Sequence, residues 1–140
     1  MSDKTNVLPN NLEAEQSLIG CMLIDNEVLS EIADKLSDRD FYQESHQMIV
    51  SAILKVFYQR KPADLITLCD CLEKDGNLAK VGGIDYITEL MQKVPSAANF
   101  RYYFDIVKRD SINRELIRAS RNIIENSMNS TDSTQSVQYA

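Results

Sequence analysis

The sequence has little of what nucleotide-binding and metal-binding sites are built from. Its 140 residues include four glycines, three cysteines, one histidine and no tryptophan. No apolar run approaches the roughly 18 residues that a membrane-spanning helix needs, so the sequence predicts no transmembrane segment. Hydrophobic residues still make up 44% of the chain and charged residues 26%, which is typical of a globular domain of this length. The sequence therefore indicates one globular domain without an obvious catalytic apparatus.

The adjacent glycines Gly82-Gly83 are the one feature that invites a phosphate-binding interpretation. A phosphate-binding P-loop, G-x-x-x-x-G-K-[ST], has its lysine after the glycines, whereas here Lys80 precedes the pair and no Lys-Ser/Thr follows it. Backbone amides at a helix start can bind an anion without such a motif. The favoured interpretation is an interhelical turn that needs positive φ angles and close helix approach, both of which glycine permits.

Metal and nucleophile chemistry is equally poorly supported. Cys69 and Cys71 are two positions apart, so on a helix they point about 200° away from each other. Zinc sites need about four nitrogen or sulfur ligands, and His46 is the only histidine. We interpret His46 as a helix-terminal or packing residue whose hydrogen bonds are satisfied. No catalytic, cofactor-binding or metal-binding residue is predicted.

Charge and cysteine content bear on partners and compartment. The formal net charge is −6, and the basic residues are interleaved with acidic ones, which disfavours binding driven by phosphate neutralisation. The odd number of cysteines, without a secretory signal, is typical of reduced thiols in the cytoplasm.

Apolar residues recur at intervals of three and four, which predicts an all-α fold. We expect a compact multi-helix head followed by a long helix that starts a helical hairpin. The predicted divisions are a disordered leader over 1–9, the globular head over 10–95, the long helix as first hairpin arm over 96–128, and the truncated start of a second arm or a linker over 129–140.

Several positions within the head carry specific expectations. The predicted N-caps are Asn10 or Asn11, Asp64 and Ser96. Side chains predicted to face the core include Phe41, Tyr42, Ile66 and Ile84. Glu13 and Glu15 fall in the first turn of the first helix, where the helix dipole favours acidic residues.

The long last helix changes character along its length. Phe100, Tyr103, Phe104 and Val107 form one stripe within roughly ±60°. Farther along, two further apolar rows appear, at angles measured around the helix from Phe100. One row lies about 100–160° away in one direction and consists of Ile112, Leu116, Ala119 and Ile123. The other lies about 80–120° away in the opposite direction and consists of Ile117, Ile124 and Met128. Such a shift indicates a helix that leaves its own domain and meets a second surface, the alternative being a frayed end with scattered apolar residues.

Five stretches of the sequence, taken in their order along the chain, resemble a known family. They are LPNNLEAEQSLIGCML (8–23), DFYQESHQMI (40–49), ADLITL (63–68), KVGGIDYITEL (80–90) and VPSAANFRYYFDIVKR (94–109). Together they resemble the N-terminal domain of bacterial replicative DNA helicases of the DnaB type, from about Pro9 to Met128. No single motif is decisive, but their order and spacing are specific.

The resemblance implies a two-part parent protein. Its C-terminal part would be an ATP- and Mg-dependent motor that carries the P-loop and translocates on single-stranded DNA. Its N-terminal part would be a helical head followed by a helical hairpin, forming a collar above the motor ring, commonly as a trimer of dimers. This collar would recruit the C-terminal helicase-binding domain of the primase. The present segment would then have no ATPase activity, no cofactor and no membrane partner, and DNA would be bound only by the motor.

Partner contacts are expected at apolar or aromatic residues that an isolated head cannot bury, because such anchors dominate interface energies. We assign Tyr86, Ile117 and Ile123 to contacts with the primase or within the collar, the alternative for each being ordinary packing inside the domain. Lys108, Arg109 and Arg114 are the best basic candidates for an acidic partner, although a solvated helix face is the simpler explanation.

A second class of function stays open at this point. The chain could be a helical nucleic-acid-binding module that contacts DNA at the entrance of the ring. Binding to phosphates weakens steeply with salt, whereas an apolar helix-in-groove contact does not.

Overall fold

Residues 7–130 are described by a computed structural model of the chain. Within this range the chain forms six α-helices and no strand, so the predicted all-α fold is confirmed. Residues 1–6 of the predicted leader and 131–140 of the predicted second arm or linker lie outside the described range. The helices are α1 (Leu12–Ile24), α2 (Glu27–Ile32), α3 (Glu44–Tyr58), α4 (Leu65–Lys74), α5 (Gly83–Gln92) and α6 (Phe100–Asn129), with single 3-10 turns at Ala33–Lys35 and Asp38–Asp40.

Two of the predicted N-caps are confirmed by their hydrogen bonds. The Asn11 side-chain oxygen accepts from the Ala14 amide at 2.9 Å, which satisfies one free N–H at the start of α1. At the start of α4, the Asp64 carboxylate accepts from the Thr67 amide and the Thr67 hydroxyl accepts from the Asp64 amide, both at 2.9 Å. This reciprocal arrangement is a capping box.

The predicted cap at Ser96 is wrong. The last helix begins at Phe100, after Asn99, and Ser96 Oγ accepts from the Ala98 amide at 3.3 Å in the preceding turn. A serine hydroxyl that bonds two residues ahead closes a turn as readily as it caps a helix. The helix also continues to Asn129, one residue past the predicted end at 128.

Helix α1 lies at the centre of the head. It contacts α2, α3, α5 and α6, and nine of its 13 residues are buried. A Cβ atom on Gly20 would lie only 2.4 Å from the Leu90 carbonyl oxygen. The helices α1 and α5 therefore approach each other more closely than a residue with a side chain at position 20 would allow. The burial of α1 on nearly all sides explains why its sequence from Leu18 to Ile24 contains no charged residue.

Three side chains that the sequence predicts in the core are exposed. Phe41 is buried as predicted, but Tyr42, Ile66 and Ile84 are exposed. Ile66 lies about 160° around α4 from Leu68. Because the Leu68 side of the helix faces the core, Ile66 faces solvent. Ile84 is in the first turn of α5 and lines an open surface cleft. The Tyr42 ring lies beneath the guanidinium of Arg114, 5.6 Å from its centre.

The glycine pair forms the tight turn that the sequence predicted. Gly82 has φ 109° and Gly83 has φ 74°, both in the left-handed region that other residues adopt only at a cost. A Cβ atom on Gly82 would also lie 2.8 Å from Cβ of Tyr86. The turn therefore starts α5 and makes room for Tyr86.

Among the described helices, none is both long and apolar enough to cross a bilayer.

Candidate protein-interaction site

Helix α6 has two halves with opposite surroundings. Its buried residues are Phe100, Val107, Asp110, Ser111 and Arg114, so no residue after Arg114 is buried. Beyond that point the helix runs for fifteen further residues to Asn129. We call residues 115–129 the projecting half of α6.

A cluster of polar side chains joins the first half of α6 to the head. Asp40, at the end of the second 3-10 turn, is 6% exposed. Its Oδ1 accepts from Ser111 Oγ at 2.7 Å, and its Oδ2 accepts from Lys108 Nζ at 3.0 Å. Oδ2 also accepts from the Ser37 amide at 2.9 Å. A single buried carboxylate thus connects two turns of α6 to the head.

Arg114 completes this attachment. Its side chain is buried, and it donates to the Pro9 carbonyl oxygen at 2.9 Å and to the Asp40 carbonyl oxygen at 2.8 Å. The prediction of a solvated basic face is therefore wrong for Arg114, and for Lys108, which is bound to Asp40. Arg109 is mostly exposed and lies 3.3 Å from Asp110. Arg114 and Lys108 stabilise the domain itself, which removes them as ready contacts for an acidic partner.

One feature of the sequence indicates this cluster. Ser111 and Arg114 continue the stripe of Phe100 and Val107, about 20° and 40° from Phe100 on a helical projection. A polar residue on the apolar stripe of a helix is buried against something, and a buried polar group needs a partner. The stripe predicted from apolar residues alone ends at Val107.

The projecting half of α6 displays apolar side chains to solvent. Together with Ile112 just before it, the exposed residues are Ile112 (52%), Leu116 (61%), Ile123 (64%), Ile124 (58%) and Met128 (80%). Ile112, Leu116, Ala119 and Ile123 are spaced by four, three and four residues, which is the spacing of a helix-pairing seam. Ile117 is half-buried on the other side of the helix. Exposed apolar rows on an otherwise polar helix are typical of a protein-interaction surface.

Tyr86 lies elsewhere, on α5 within the head. Its side chain is half-buried, and its hydroxyl oxygen is 2.7 Å from His46 Nε2 and 3.3 Å from Gln16 Nε2. The three residues assigned to partner contacts are thus not one cluster: Ile117 and Ile123 are on the projecting half of α6, beyond the last buried residue of that helix.

His46 belongs to a buried network that also contains Glu15. The histidine is 0% exposed and the glutamate 1%, and His46 Nδ1 is 2.8 Å from Glu15 Oε1. Glu15 also accepts from the Tyr42 amide at 2.7 Å and the Gln43 amide at 3.4 Å. The interpretation of His46 as a satisfied packing histidine is confirmed. Glu13 and Glu15 lie in the first turn of α1 as predicted, but the Glu15 carboxylate also binds His46 and the backbone at the start of α3, while Glu13 stays exposed.

Nothing in the described part of the chain forms a metal site, since no group of three histidine, cysteine, aspartate or glutamate side chains is suitably placed. Burial raises the pKa of Cys21 to about 11 and also raises the pKa of Cys69 and of Cys71. These thiols are therefore protonated at neutral pH, which makes them poor nucleophiles and poor ligands.

Comparison with known proteins agrees with this geometry. A family described as DnaB-like helicase N terminal domain matches residues 7–109. The replicative DNA helicase DnaB of Buchnera aphidicola is 42% identical over 84% of this chain and 26% of its own length. The replicative DNA helicase DnaC of Bacillus subtilis is 37% identical over 91% of this chain and 28% of its own length.

A solved structure gives the same result for the fold. The crystal structure of the N-terminal domain of DnaB helicase from Mycobacterium tuberculosis superposes with a TM-score of 0.88, at 32% identity, over 95% of this chain and 94% of that one. The chain spans about a quarter of the length of the curated relatives it matches. With an all-α head, a projecting helix and this similarity along most of its length, the chain belongs to the family of DnaB-like helicase N-terminal domains.

Proposed function

We propose that this chain is the assembly and partner-binding domain of a replicative DNA helicase. In this proposal it associates with further copies of itself to form the collar of a hexamer, and it recruits the primase through the primase's C-terminal helicase-binding domain. Unwinding of DNA would be the work of an ATP- and Mg-dependent motor elsewhere in the parent protein, in the cytoplasm. The chain itself would hydrolyse no ATP.

The observation that carries the proposal is the exposed apolar surface of the projecting half of α6. Five large apolar side chains between Ile112 and Met128 are between 52% and 80% exposed. Burying one such side chain fully is worth about 1.5–3 kcal/mol. A helix that keeps so many of them in water gains most from pairing with another helix.

Contacts for the partners follow from this surface. Ile123 and Ile117 are about 120° apart around the projecting half, so the helix offers apolar contacts in two directions. Tyr86 adds an aromatic contact on the head, where its ring packs and its hydroxyl stays hydrogen-bonded. We propose these three residues as contacts with the primase or within the collar.

The placement of basic residues supports a protein partner over DNA. Lys108 and Arg114 are engaged with Asp40 and with backbone carbonyls, and the net charge is −6. Two of the best basic candidates are therefore not available to neutralise phosphates, which supply most of the affinity for nucleic acid.

A calorimetric titration tests this proposal. The 140-residue chain is titrated with the C-terminal helicase-binding domain of its cognate primase at 50 mM and 300 mM salt. We expect saturable binding that changes less than threefold between the two conditions, and that weakens at least tenfold in Ile123→Ala. Absence of binding, or binding that disappears at the higher salt, would contradict the proposal.

A further inference from the structure

The head carries a second surface that its own side chains leave open, where the end of α4 meets the start of α5. An open cleft of about 450 Å³ lies there, and Gly76 and Gly83 line it. Both glycines have positive φ angles, and a Cβ atom added to either would meet no atom within 4 Å. Ile84, which also lines the cleft, is 52% exposed. The cleft therefore has room for a side chain from another molecule.

Among the described residues, carboxylates are the only charged groups that line this cleft. They belong to Glu73 and Asp85, which are both exposed, and neither forms an ion pair with any described residue. Ile66 is 78% exposed and precedes Glu73 by seven residues, so the two lie only about 20° apart around α4. We call Ile66, Glu73, Ile84 and Asp85 the acidic surface. Its chemistry fits an apolar group that has positive charge beside it.

The same chain carries the complementary chemistry where α3 ends. Tyr58, the last residue of α3, is 62% exposed. Its hydroxyl donates to the Ala33 carbonyl oxygen at 3.2 Å, which holds the ring in place. Arg60 and Lys61 follow, both exposed and both without an ion pair within the described part of the chain. We call residues 58–61 the basic turn, and it presents an aromatic ring beside two cations.

Arg60 is held in a backbone conformation that suits other residues better. Its φ is 62°, and it is the only non-glycine residue with a positive φ in the described range. Glycine commonly takes this position after a helix, because a side chain makes the left-handed conformation costly. The helix dipole favours a cation here, but Lys55 already supplies one in the last turn of α3. Strain at an exposed arginine without an ion pair in its own chain therefore indicates a role for its side chain in an external contact.

We propose that the acidic surface of one copy of this chain receives the basic turn of a second copy. Glu73 and Asp85 would pair with Arg60 and Lys61, and the Tyr58 ring would pack against the exposed isoleucines. Because the two copies use different surfaces, the contact is heterologous and can repeat from one copy to the next around a ring. The inference rests on the proposed assembly of the chain into a collar, to which it adds a contact between heads that is separate from α6.

This contact is weak between free molecules. Exposed ion pairs each contribute little, and salt screens them. Within an assembly held together by α6, neighbouring copies are at a high effective concentration, so that even a weak contact between heads is occupied. For free molecules we expect it only at low salt and at protein concentrations near about 1 mM.

NMR spectroscopy of the Leu116→Asp/Ile123→Asp variant tests the contact with association through α6 removed. When the ¹⁵N-labelled protein is diluted from about 1 mM, we expect amide shift changes confined to the acidic surface and the basic turn. Salt at about 300 mM should reduce them at least about threefold. No concentration-dependent shifts, or shifts confined to other faces of the head, would overturn the inference.

An exchange of charges identifies the occupant. In the same background, Glu73→Lys/Asp85→Lys and Arg60→Glu/Lys61→Glu should each lose these shifts when studied alone. An equimolar mixture of the two variants should regain them, because each supplies the charge that its counterpart now lacks. A mixture that does not regain the shifts would show that the occupant of the acidic surface is not a second copy, and would overturn the inference.

Two controls separate the contact from effects of charge and folding. Glu115→Lys/Glu125→Lys alters the total charge as much as the acidic-surface variant does, at exposed positions of α6, and should keep the shifts. Arg60→Gly relieves the backbone strain, so its midpoint of unfolding in urea should rise while the shifts weaken at least about threefold. Loss of the shifts in the α6 control, or unchanged shifts in Arg60→Gly, would overturn the inference.

The inference and the proposed function fail separately in these experiments. If the head contact is absent but the wild type still associates through α6 in sedimentation velocity, only the inference fails. If the shifts follow the exchange of charges but the wild type shows no association through α6, the proposed collar surface on α6 fails and the contact between heads stands.

Discussion

The two halves of α6 are one continuous helix in two different environments. From Phe100 to Arg114 the helix buries aromatic, aliphatic and polar side chains against the head, whereas from residue 115 to 129 none is buried. Yet the projecting half is no poorer in large aliphatic residues. Hydrophobic content therefore does not decide which half is core. What decides is whether the rest of the described fold supplies a facing surface.

The comparison also shows where polar groups stabilise this domain. The first half of α6 is attached by a carboxylate that accepts from a hydroxyl and an ammonium, and by a guanidinium that donates to two backbone carbonyl oxygens. No buried polar side-chain atom of the described residues lacks a hydrogen-bond partner. Buried polar groups of this kind specify one arrangement, because any other would leave some of them unpaired. The orientation of the projecting half is consequently fixed by Asp40 and its partners.

The strongest test of this contrast compares two leucines. Leu18 in α1 is fully buried and Leu116 in α6 is 61% exposed. Leu18→Ala should lower the free energy of unfolding by about 4 kcal/mol, through lost burial and a residual cavity. Leu116→Ala should lower it by less than about 0.5 kcal/mol. Urea unfolding followed by circular dichroism measures both, and equal losses would show that Leu116 is packed in solution.

A pair of arginines tests the attachment point. Arg114→Ala should cost about 3 kcal/mol, because it leaves the carbonyl oxygens of Pro9 and Asp40 without their charged donor. Arg118, one turn later and exposed, is the matched control, and its replacement by alanine should cost less than about 0.5 kcal/mol. A small effect at Arg114 in the same unfolding experiment would mean that α6 is held mainly by its apolar residues.

The glycine turn offers a finer comparison within the head. Gly82→Ala should destabilise the domain by about 2 kcal/mol, because it combines a left-handed backbone cost with contact against Tyr86. Gly83→Ala meets no atom within 4 Å and should cost only about 1 kcal/mol for its backbone. Thermal unfolding of both variants provides the measurement, and equal losses would show that the space for Tyr86 is unimportant.

The last of the four comparisons concerns the pH dependence that Cys21 in the head confers. Burial raises the pKa of Cys21 to about 11, from 9.0. The folded state therefore keeps this proton where the unfolded state loses it, and stability falls as the pH rises above 9. Linkage predicts a loss of about 1.4 kcal/mol at pH 10 relative to pH 7.

The matched control is Cys21→Ala, whose loss between pH 7 and pH 10 should be smaller by that amount. Unfolding in urea at the two pH values measures the difference. If both proteins lose the same stability, the Cys21 thiol does not titrate differently in the folded and unfolded states.

The helices could be predicted from the sequence because apolar spacing and cap residues are local signals. Asn11 and Asp64 cap their helices as expected, and the Gly82-Gly83 turn follows from backbone geometry. The sequence predicts Ile66 and Ile84 to be in the core because each lies beside a row of apolar residues on a helical wheel. Only the packing of neighbouring helices determines how wide the buried face is.

The polar networks could not be predicted in the same way. Glu15 and His46 are 31 positions apart and Asp40 and Arg114 are 74 apart, so no local signal connects them. A carboxylate in the first turn of a helix has a sufficient local explanation in the helix dipole, which concealed the role of Glu15. The exposed apolar rows of α6 were evident from the sequence, but the contact roles of Tyr86, Ile117 and Ile123 stay predictions.

The most direct test of the central claim, that the projecting half of α6 is an interaction surface, is sedimentation velocity over a range of concentrations. The chain is compared with a Leu116→Asp/Ile123→Asp double variant, whose unfolding is measured in parallel. We predict concentration-dependent association of the wild type, loss of that association in the variant, and an unfolding free energy within about 0.5 kcal/mol of wild type. A wild type that stays monomeric at every concentration, or a variant that associates equally well, would contradict the account.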